Sequence, residues 1–300
     1  MAFKCGFVAL VGRPNAGKSS LMNRLVGEPV AIATPVAQTT RYRIRGVLTT
    51  ARAQVIFLDT PGFSKALDKL GEYLVQEANT GFEEADVLLW VVDATQAPGK
   101  GDIWMAERLV QTKKPFVLLL NHWDRIEQQR TIDRQQRREA YQKLVGEACA
   151  SVLVSSAVTG RNLDAIVRTV TRLLPTGEAL YPADTLSDQP MRMMAAELIR
   201  EQAMVLTRDD LPHSVAVMIE SFEPAKHPAE KTVIRALLVV DHPSRKKILI
   251  GEDGQMIKQI GMLARQTIEA LVEGPVFLAL HVKVHRHWRK DFNFVNNLIK

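Results

Sequence analysis

Cysteine is almost missing from this 300-residue chain. Cys5 and Cys149 stand alone, with no C-x-x-C pair and none of the spacing of a secreted disulfide framework. That excludes a disulfide scaffold and predicts two free, buried thiols in a reducing compartment. Long apolar runs are missing too. Stretches such as Val87 to Val92 fall far short of the ~20 residues a bilayer-spanning helix needs. Met1-Ala2-Phe3-Lys4-Cys5 leads straight into the first apolar run, which leaves no room for a signal peptide and predicts a cytoplasmic protein. Nor does either charge sign dominate. Lys and Arg number 39 against 33 Asp and Glu, a net charge of +6. This mild excess leans toward a polyanionic partner without identifying one. What remains, 46% hydrophobic and 24% charged residues, is the composition of a globular protein long enough for two ordinary domains.

The stretch Val8 to Ser20, VALVGRPNAGKSS, carries the strongest signal. An apolar run breaks at Gly12 and restarts after Lys18 as a helical pattern, so the order is strand, loop, helix. The loop spells G-x-x-x-x-G-K-S across Gly12, Arg13, Pro14, Asn15, Ala16, Gly17, Lys18 and Ser19, followed by Ser20. Such a loop turns successive N–H groups toward one concavity that suits phosphate, and the following helix dipole adds positive potential. Lys18 is predicted to bridge the β- and γ-phosphates and Ser19 to sit on Mg²⁺.

Residues 1–174 alternate strands and helices. Strands are predicted at Gly6–Val11, Arg43–Thr49, Gln54–Leu58, Val87–Val92, Phe116–Leu120 and Val152–Ser155. Helices are predicted at 18–26, about 70–84, 102–112, 132–148 and 162–173. That is an α/β fold with a mainly parallel sheet, in which the second and third strands, joined too closely for a helix, form an antiparallel hairpin. Ligands of such sheets bind at the carboxyl ends of the strands, where the other motifs fall. Asp59-Thr60-Pro61-Gly62 follows the third strand; Asp59 suits a Mg²⁺ shell and the Gly62 N–H a γ-phosphate. The polar segment Thr34–Arg41 offers Thr40, and second to it Thr39, as a hydroxyl that reaches Mg²⁺ only while the γ-phosphate is present. Asn121-His122-Trp123-Asp124 follows the fifth strand; the Asp124 carboxylate can accept from both N1–H and N2–H₂ of guanine, and Asn121 can tie this loop to the phosphate loop. In Ser155-Ser156-Ala157, a small residue at Ala157 lets a backbone N–H approach guanine O6, with Ser156 beside it.

These five elements, in this order, resemble the Era/TrmE group of translation-factor-like GTPases. Two positions depart from common GTPase patterns. Phe63 follows Gly62 where Ras-like switches place a water-orienting Gln. His122 stands where a lysine usually lays its stem along the base; its ring can stack instead, with a charge that depends on pH. The resemblance implies a mechanism without Gln, in which Asn15 helps bind K⁺ near the β/γ bridge; the alternative for Asn15 is a loop-stabilising side chain. It implies GTP/GDP and Mg²⁺ as cofactors, with Asn15, Lys18, Thr40 and Gly62 as catalytic residues and Ser19, Thr40 and Asp59 around the metal.

From 175 to 190 the periodicity stops at Pro175, Gly177, Pro182 and Pro190, which predicts a linker. Beyond it, residues 191–300 read as a helix (Arg192 to Thr207, apolar face Met193, Ala196, Leu198, Ile199, Met204 and Val205), strands Ser214–Ser221 and Lys231–Val240, a short helix at Lys246–Ile250, the loop Gly251-Glu252-Asp253-Gly254, a helix from Gln255 to Val272, a strand Val276–Val284 and a basic tail, His285 to Lys290. That order resembles a type II KH domain, whose GxxG loop clamps nucleic-acid backbone. The predicted RNA contacts are Lys246, Lys247, Gly251, Gly254, Lys258, Arg265, Arg286 and Trp288. With the GTPase half, the whole chain resembles the bacterial ribosome-assembly GTPases of the Era family. The resemblance implies binding to the 3′-terminal region of small-subunit ribosomal RNA and to the small ribosomal subunit, a monomer, and peripheral contact with the inner face of the cell membrane. Two other classes stand beside it. One is a nucleotide-gated interaction protein whose KH module has lost RNA because of the acidic loop. The other is a P-loop enzyme with a small-molecule acceptor, against which Asp124 and the missing acceptor-domain signature both stand.

Overall fold

A computed structural model describes residues 2–33, 40–63, 66–129, 131–207, 211, 214–227 and 230–299. Thr39, the second switch candidate, lies outside them. The chain divides into two compact units, one of residues 1–33, 40–66 and 71–188, the other including 67–70 and 189–300.

The first unit is built on a six-stranded sheet in the order β2-β3-β1-β4-β5-β6. Its strands are β1 (Lys4–Val11), β2 (Ile44–Thr49), β3 (Ala53–Asp59), β4 (Val87–Asp93), β5 (Phe116–Asn121) and β6 (Ser151–Val154). All neighbours are parallel except the predicted hairpin β2/β3. The near-continuous apolar runs of β3, β4 and β5 are those of strands covered on both faces. Alternation splits each run between two cores. Ala9, Val11, Leu88, Trp90 and Val92 face a cluster with Phe82, Met105, Leu109 and Tyr141. Val8, Leu10, Val87, Leu89 and Val91 face one with Leu21, Met22, Leu25, Ile166 and Val170. Each such large side chain, fully buried, contributes roughly 1.5–3 kcal/mol.

The second cluster's face is covered by α1 (Lys18–Val26) and α6 (Leu163–Leu173); the first by α2 (Lys69–Glu84), α3 (Lys100–Gln111), α4 (Trp123–Gln128) and α5 (Arg134–Val145). The short α4 has too few turns to show a period and was not expected from the sequence. The helix expected over 132–148 is shorter, because the Asp133 side chain accepts from Gln135 N and Gln136 N and starts it at Arg134. Strand order reverses between β3-β1 and β4, so the crevice where ligands bind opens at the ends of β1 and β4. Of the two thiols, Cys5 is buried and Cys149 only half-buried; both are free.

The segment 175–190 holds no helix or named strand and is bound along the first unit as far as 188. Thr176 bridges Lys4 and Ser187 bridges Gly46. The Gln54 amide takes Leu180 N and Tyr181 N at 2.8 and 2.9 Å and donates to the Tyr181 carbonyl at 2.8 Å. Asp188 accepts from Arg45 at 2.8 Å.

In the second unit, β7 (Ala216–Glu223), β8 (Thr232–Val240) and β9 (Val276–Val284) form a sheet in that order, antiparallel then parallel. One core joins it to α7 (Met191–Thr207), α8 (Pro243–Ile250) and α9 (Gln255–Leu271). The buried face of α7 differs from the expected stripe. Ala195, Ile199, Ala203 and Met204 are buried with Glu197 and Arg200, whereas Val205 is exposed. Arg200 donates to both Glu197 carboxylate oxygens, at 2.8 and 2.5 Å; that pairing lets two charged residues occupy a buried face. The tail expected after β9 is instead a tight turn at Trp288–Lys290 and a helix, α10 (Phe292–Ile299). Its apolar positions Phe292, Val295 and Leu298 were readable at helical spacing.

Candidate functional site

The loop leaving β1 turns around two left-handed residues, Asn15 (φ 62°) and Gly17 (φ 86°). A Cβ at Gly17 would overlap the Asn121 amide nitrogen and stand 3.0 Å from His122 Nε2. Glycine there is what allows the loop after β5 to approach. Asn121 is held as predicted: its amide donates to the Ala16 carbonyl at 2.9 Å, and its Oδ1 accepts from Ser155 Oγ at 3.1 Å. Arg13 reaches out of the loop to Asp102 of α3, Nη1 to Oδ2 3.1 Å. That buried carboxylate also caps its helix by accepting from Gly99 N at 2.9 Å.

Three oxygens meet beneath the loop. Ser19 Oγ is 2.5 Å from Asp59 Oδ2 and 2.9 Å from Thr40 Oγ1, and Thr40 Oγ1 donates to Asp59 Oδ2 at 3.0 Å. Asp59 is fully buried and its Oδ1 has no hydrogen-bond partner among the described residues. Two hydroxyls and a carboxylate with a spare buried oxygen fit a hard divalent cation such as Mg²⁺. Lys18, also buried, donates from Nζ to the Arg13 carbonyl at 3.0 Å. Burial pushes the Lys18 ammonium below its ordinary pKa, and the Asp59 charge offsets this in part. Burial pushes the Asp59 carboxyl up, opposed by Lys18, Ser19 and Thr40. Both shifts have burial as their leading cause, and a polyphosphate beside Lys18 with a cation beside Asp59 would counter it.

Beyond Asp59 the chain closes on the phosphate loop: a Cβ at Gly62 would stand 2.7 Å from Pro14 N. The next side chain, Phe63, turns onto aromatic partners. Its ring centroid lies 5.7 Å from Trp104 and 6.5 Å from Phe82, with the Arg108 guanidinium 4.9 Å away. It offers water no hydrogen-bonding group.

On the base side, Trp123 N donates to the Ser155 carbonyl at 3.0 Å, joining the loops after β5 and β6. Ser156 and Ala157 are buried at that junction. Ser156 Oγ accepts from Thr159 N at 3.1 Å. Asp124 Oδ1 is buried without a hydrogen-bond partner among the described residues. His122 is left-handed (φ 59°), and its Nδ1 lies 3.1 Å from Asp93 Oδ1. Sequence reasoning missed Asp93, Asp102 and the Trp104–Arg108 contact with Phe63. Only Asp93 left a trace, as the polar end of the apolar run of β4.

In the second unit, α8 ends at Gly251 (φ 73°) and α9 begins after Gly254 (φ 76°). Between them Glu252 and Asp253 are exposed, with Asp253 left-handed at φ 48°. Lys247, Lys258, Arg265 and Arg286 are exposed, and Lys246 is half-buried. Arg265 Nε sits 3.9 Å from Glu269 Oε1. Trp288 corrects the expectation: it is fully buried, its indole donates to the Ser214 carbonyl at 3.0 Å, and Phe294 stacks on it edge-on at 5.7 Å. The basic residues around it made a buried anchor look like a stacking platform.

Comparison with known proteins follows the same division. Residues 7–122 match the family model described as 50S ribosome-binding GTPase, and 210–289 the KH domain model. The chain is 45% identical over 287 residues to GTPase Era of Nostoc sp. PCC 7120, covering 96% of this chain and 86% of that one. It is 39% identical over 298 residues to GTPase Era of Halothermothrix orenii, covering 99% of each. Among solved structures, a tyrosine-to-alanine variant of Aquifex aeolicus Era bound to GDP·AlF₄⁻ superposes with a TM-score of 0.91 at 38% identity over 99% of both chains. Era in complex with MgGDPNP and nucleotides 1506–1542 of 16S ribosomal RNA gives 0.91 and 38% over 99% of this chain and 98% of that one.

Proposed function

The chain belongs to the Era family of GTPases, and on that premise we propose that its GTP cycle serves assembly of the small ribosomal subunit through the 3′-terminal region of small-subunit ribosomal RNA. The observation that carries the nucleotide half is the buried, unpartnered Asp124 oxygen, beside an Asn121 tied to the phosphate loop. The RNA half is supported by the left-handed Gly251–Gly254 turn between α8 and α9, and by the rRNA complex of the similar protein.

The reaction is in-line attack of water on the γ-phosphate, to which the protein contributes positioning and charge stabilisation. Lys18 holds the β- and γ-phosphate oxygens, the Gly62 N–H meets the γ-phosphate, and the backbone of 12–17 with Ser20 cradles the rest. Ser19, Thr40 and Asp59 would hold Mg²⁺, which would neutralise charge on the phosphate oxygens. With Phe63 engaged by α3, attack proceeds without a Gln-type residue; Asn15 would be the residue that offers an oxygen to K⁺, whose positive charge would offset charge developing on the phosphates. A monomer in the cytoplasm, with peripheral contact to the inner face of the membrane, belongs to the same reading and is supported by the resemblance alone. No helix among the described residues is long and apolar enough to cross a membrane.

Crosslinking to RNA of the 3′-terminal small-subunit sequence, read with GTP, with GDP and without nucleotide, tests the proposal. The expected result is crosslinking to residues of 246–265 that is strongest with GTP. No crosslink in any state, even at low salt, would leave a nucleotide-gated interaction protein.

A further inference from the structure

We propose that Arg108, with Trp104 beside it, is a positioning residue for GTP hydrolysis: it clamps Phe63 onto α3 and so aims the Gly62 N–H at the γ-phosphate. This role presupposes the nucleotide reading above and deepens it by naming residues that act on the reaction through Phe63.

The Arg108 guanidinium stands among three aromatic rings. Its Cζ lies 4.3 Å from the Phe82 centroid, 4.9 Å from that of Phe63 and 5.7 Å from that of Trp104. All three distances are inside the ~6 Å reach of a cation–π contact. Nη1 donates to Asn79 Oδ1 of α2 at 2.8 Å, which restrains the fork. Arg108 forms no ion pair among the described residues, so ring faces and a neutral amide are what hold its charge. Burial lowers the guanidinium from its ordinary pKa, and Glu83 opposes the shift; a guanidinium stays charged through the neutral range even so.

Trp104 and Arg108 are four residues apart on α3, which puts them on one face of the helix. Trp104 is 48% exposed, so burial in the core does not account for it. Its ring forms one wall of the seat that Phe63 occupies, 5.7 Å between centroids, while the buried Phe82 lies edge-on at 6.5 Å. An arginine in the last turn of a helix also suits the dipole, and one bonded across to α2 stitches two helices. Neither of those roles calls for a ring at position 63.

Phe63 follows Gly62 directly, so seating the ring restricts the backbone that carries the Gly62 N–H. On its other side that backbone is pressed against the phosphate loop, where a Cβ at Gly62 would stand 2.7 Å from Pro14 N. The same helix grips the phosphate loop at its N-terminal end: Arg13 Nη1 donates to Asp102 Oδ2 at 3.1 Å. α3 therefore holds both segments that the γ-phosphate site needs, one through Asp102 and one through Arg108. Freed from the clamp, the Gly62 segment samples more backbone states, and fewer of them present the N–H to developing charge.

The test is single-turnover GTP hydrolysis by the full chain at saturating nucleotide, set beside GDP affinity from calorimetry. Arg108→Met keeps the length of the side chain and removes its charge; Phe63→Leu removes the ring it holds. Arg108→Met should slow hydrolysis about five- to tenfold. GDP, which has no γ-phosphate, should bind within about twofold of wild type. Phe63→Leu should slow hydrolysis by a similar factor, and the double variant should be no slower than either single one, because both remove the same contact. A wild-type rate in either single variant overturns the proposal, as does a double variant whose loss is the product of the two single losses. A matching loss of GDP affinity assigns Arg108 a structural role only and likewise overturns it. A wild type that neither binds nor hydrolyses GTP removes the nucleotide reading itself. Trp104→Ala trims a half-exposed ring and covers the case in which Arg108→Met does not fold. It should slow hydrolysis about two- to fivefold with GDP affinity kept, and an unchanged rate overturns the proposal.

Discussion

Asp124 keeps an oxygen buried and, among the described residues, unpartnered, an arrangement that costs about 1–3 kcal/mol until a donor arrives. In the proposed site the two N–H groups of guanine would offset it, in a charge-assisted pair stronger than a neutral one. Asp124→Asn should weaken GTP binding at least about tenfold and let xanthine nucleotide compete, as a fluorescent-nucleotide displacement assay would report. ATP binding as tight as GTP binding by the native protein would refute the assignment. Trp288 shows the opposite outcome, a side chain expected at a surface that proves to be core. Trp288→Ala removes a fully buried indole and orphans the Ser214 carbonyl, so denaturant unfolding should show a loss of about 3–5 kcal/mol. RNA affinity measured well below that transition should hardly change. A large affinity loss with stability intact would put the indole back on RNA.

The phosphate loop and the segment after Asp59 act together, since Gly62 packs against Pro14 and Phe63 is drawn onto α3. That leaves Asn15 as the proposed cation partner. Its left-handed backbone (φ 62°) decides how to test it. Alanine would strain that conformation, whereas glycine removes the side chain and keeps the turn. Single-turnover GTP hydrolysis should be faster in K⁺ than in Na⁺, because a cation near the β/γ bridge stabilises charge as the bond breaks. Asn15→Gly should erase most of the difference while GDP affinity changes by less than about threefold, a change worth under 1 kcal/mol. Equal wild-type rates in the two salts would remove K⁺ from the mechanism.

Charge over the full chain, a net of +6, favours RNA only modestly, and the acidic pair in the GxxG turn works against it. A carboxylate ~7 Å from a phosphate costs roughly 0.6 kcal/mol in water and about four times that near a protein surface. Glu252 and Asp253 are both exposed, so salt screens much of this. Glu252→Lys combined with Asp253→Asn, the latter suited to φ 48°, should tighten single-stranded RNA binding about tenfold at physiological salt. It should also steepen the salt dependence by about 0.7 per phosphate newly neutralised. Fluorescence anisotropy over a salt series checks both, and an unchanged affinity would mean that the turn does not touch RNA. The order of elements and the nucleotide motifs are legible in the sequence, because alternating apolar runs, glycine spacing and strand-to-helix breaks are local. Gly12 to Ser19, Asp59 and Asn121 stand where local pattern puts them. Pairing across elements is not local, and there the chain's text ran out. Asp93 meets His122 through the register of β4 on β5, Phe63 meets Trp104 through the docking of α3, and the buried Trp288 indole finds its acceptor in the Ser214 carbonyl. None of these partners is near in sequence. Only packing of the folded chain could bring them together, since burial and pairing depend on neighbours that no stretch of sequence contains by itself.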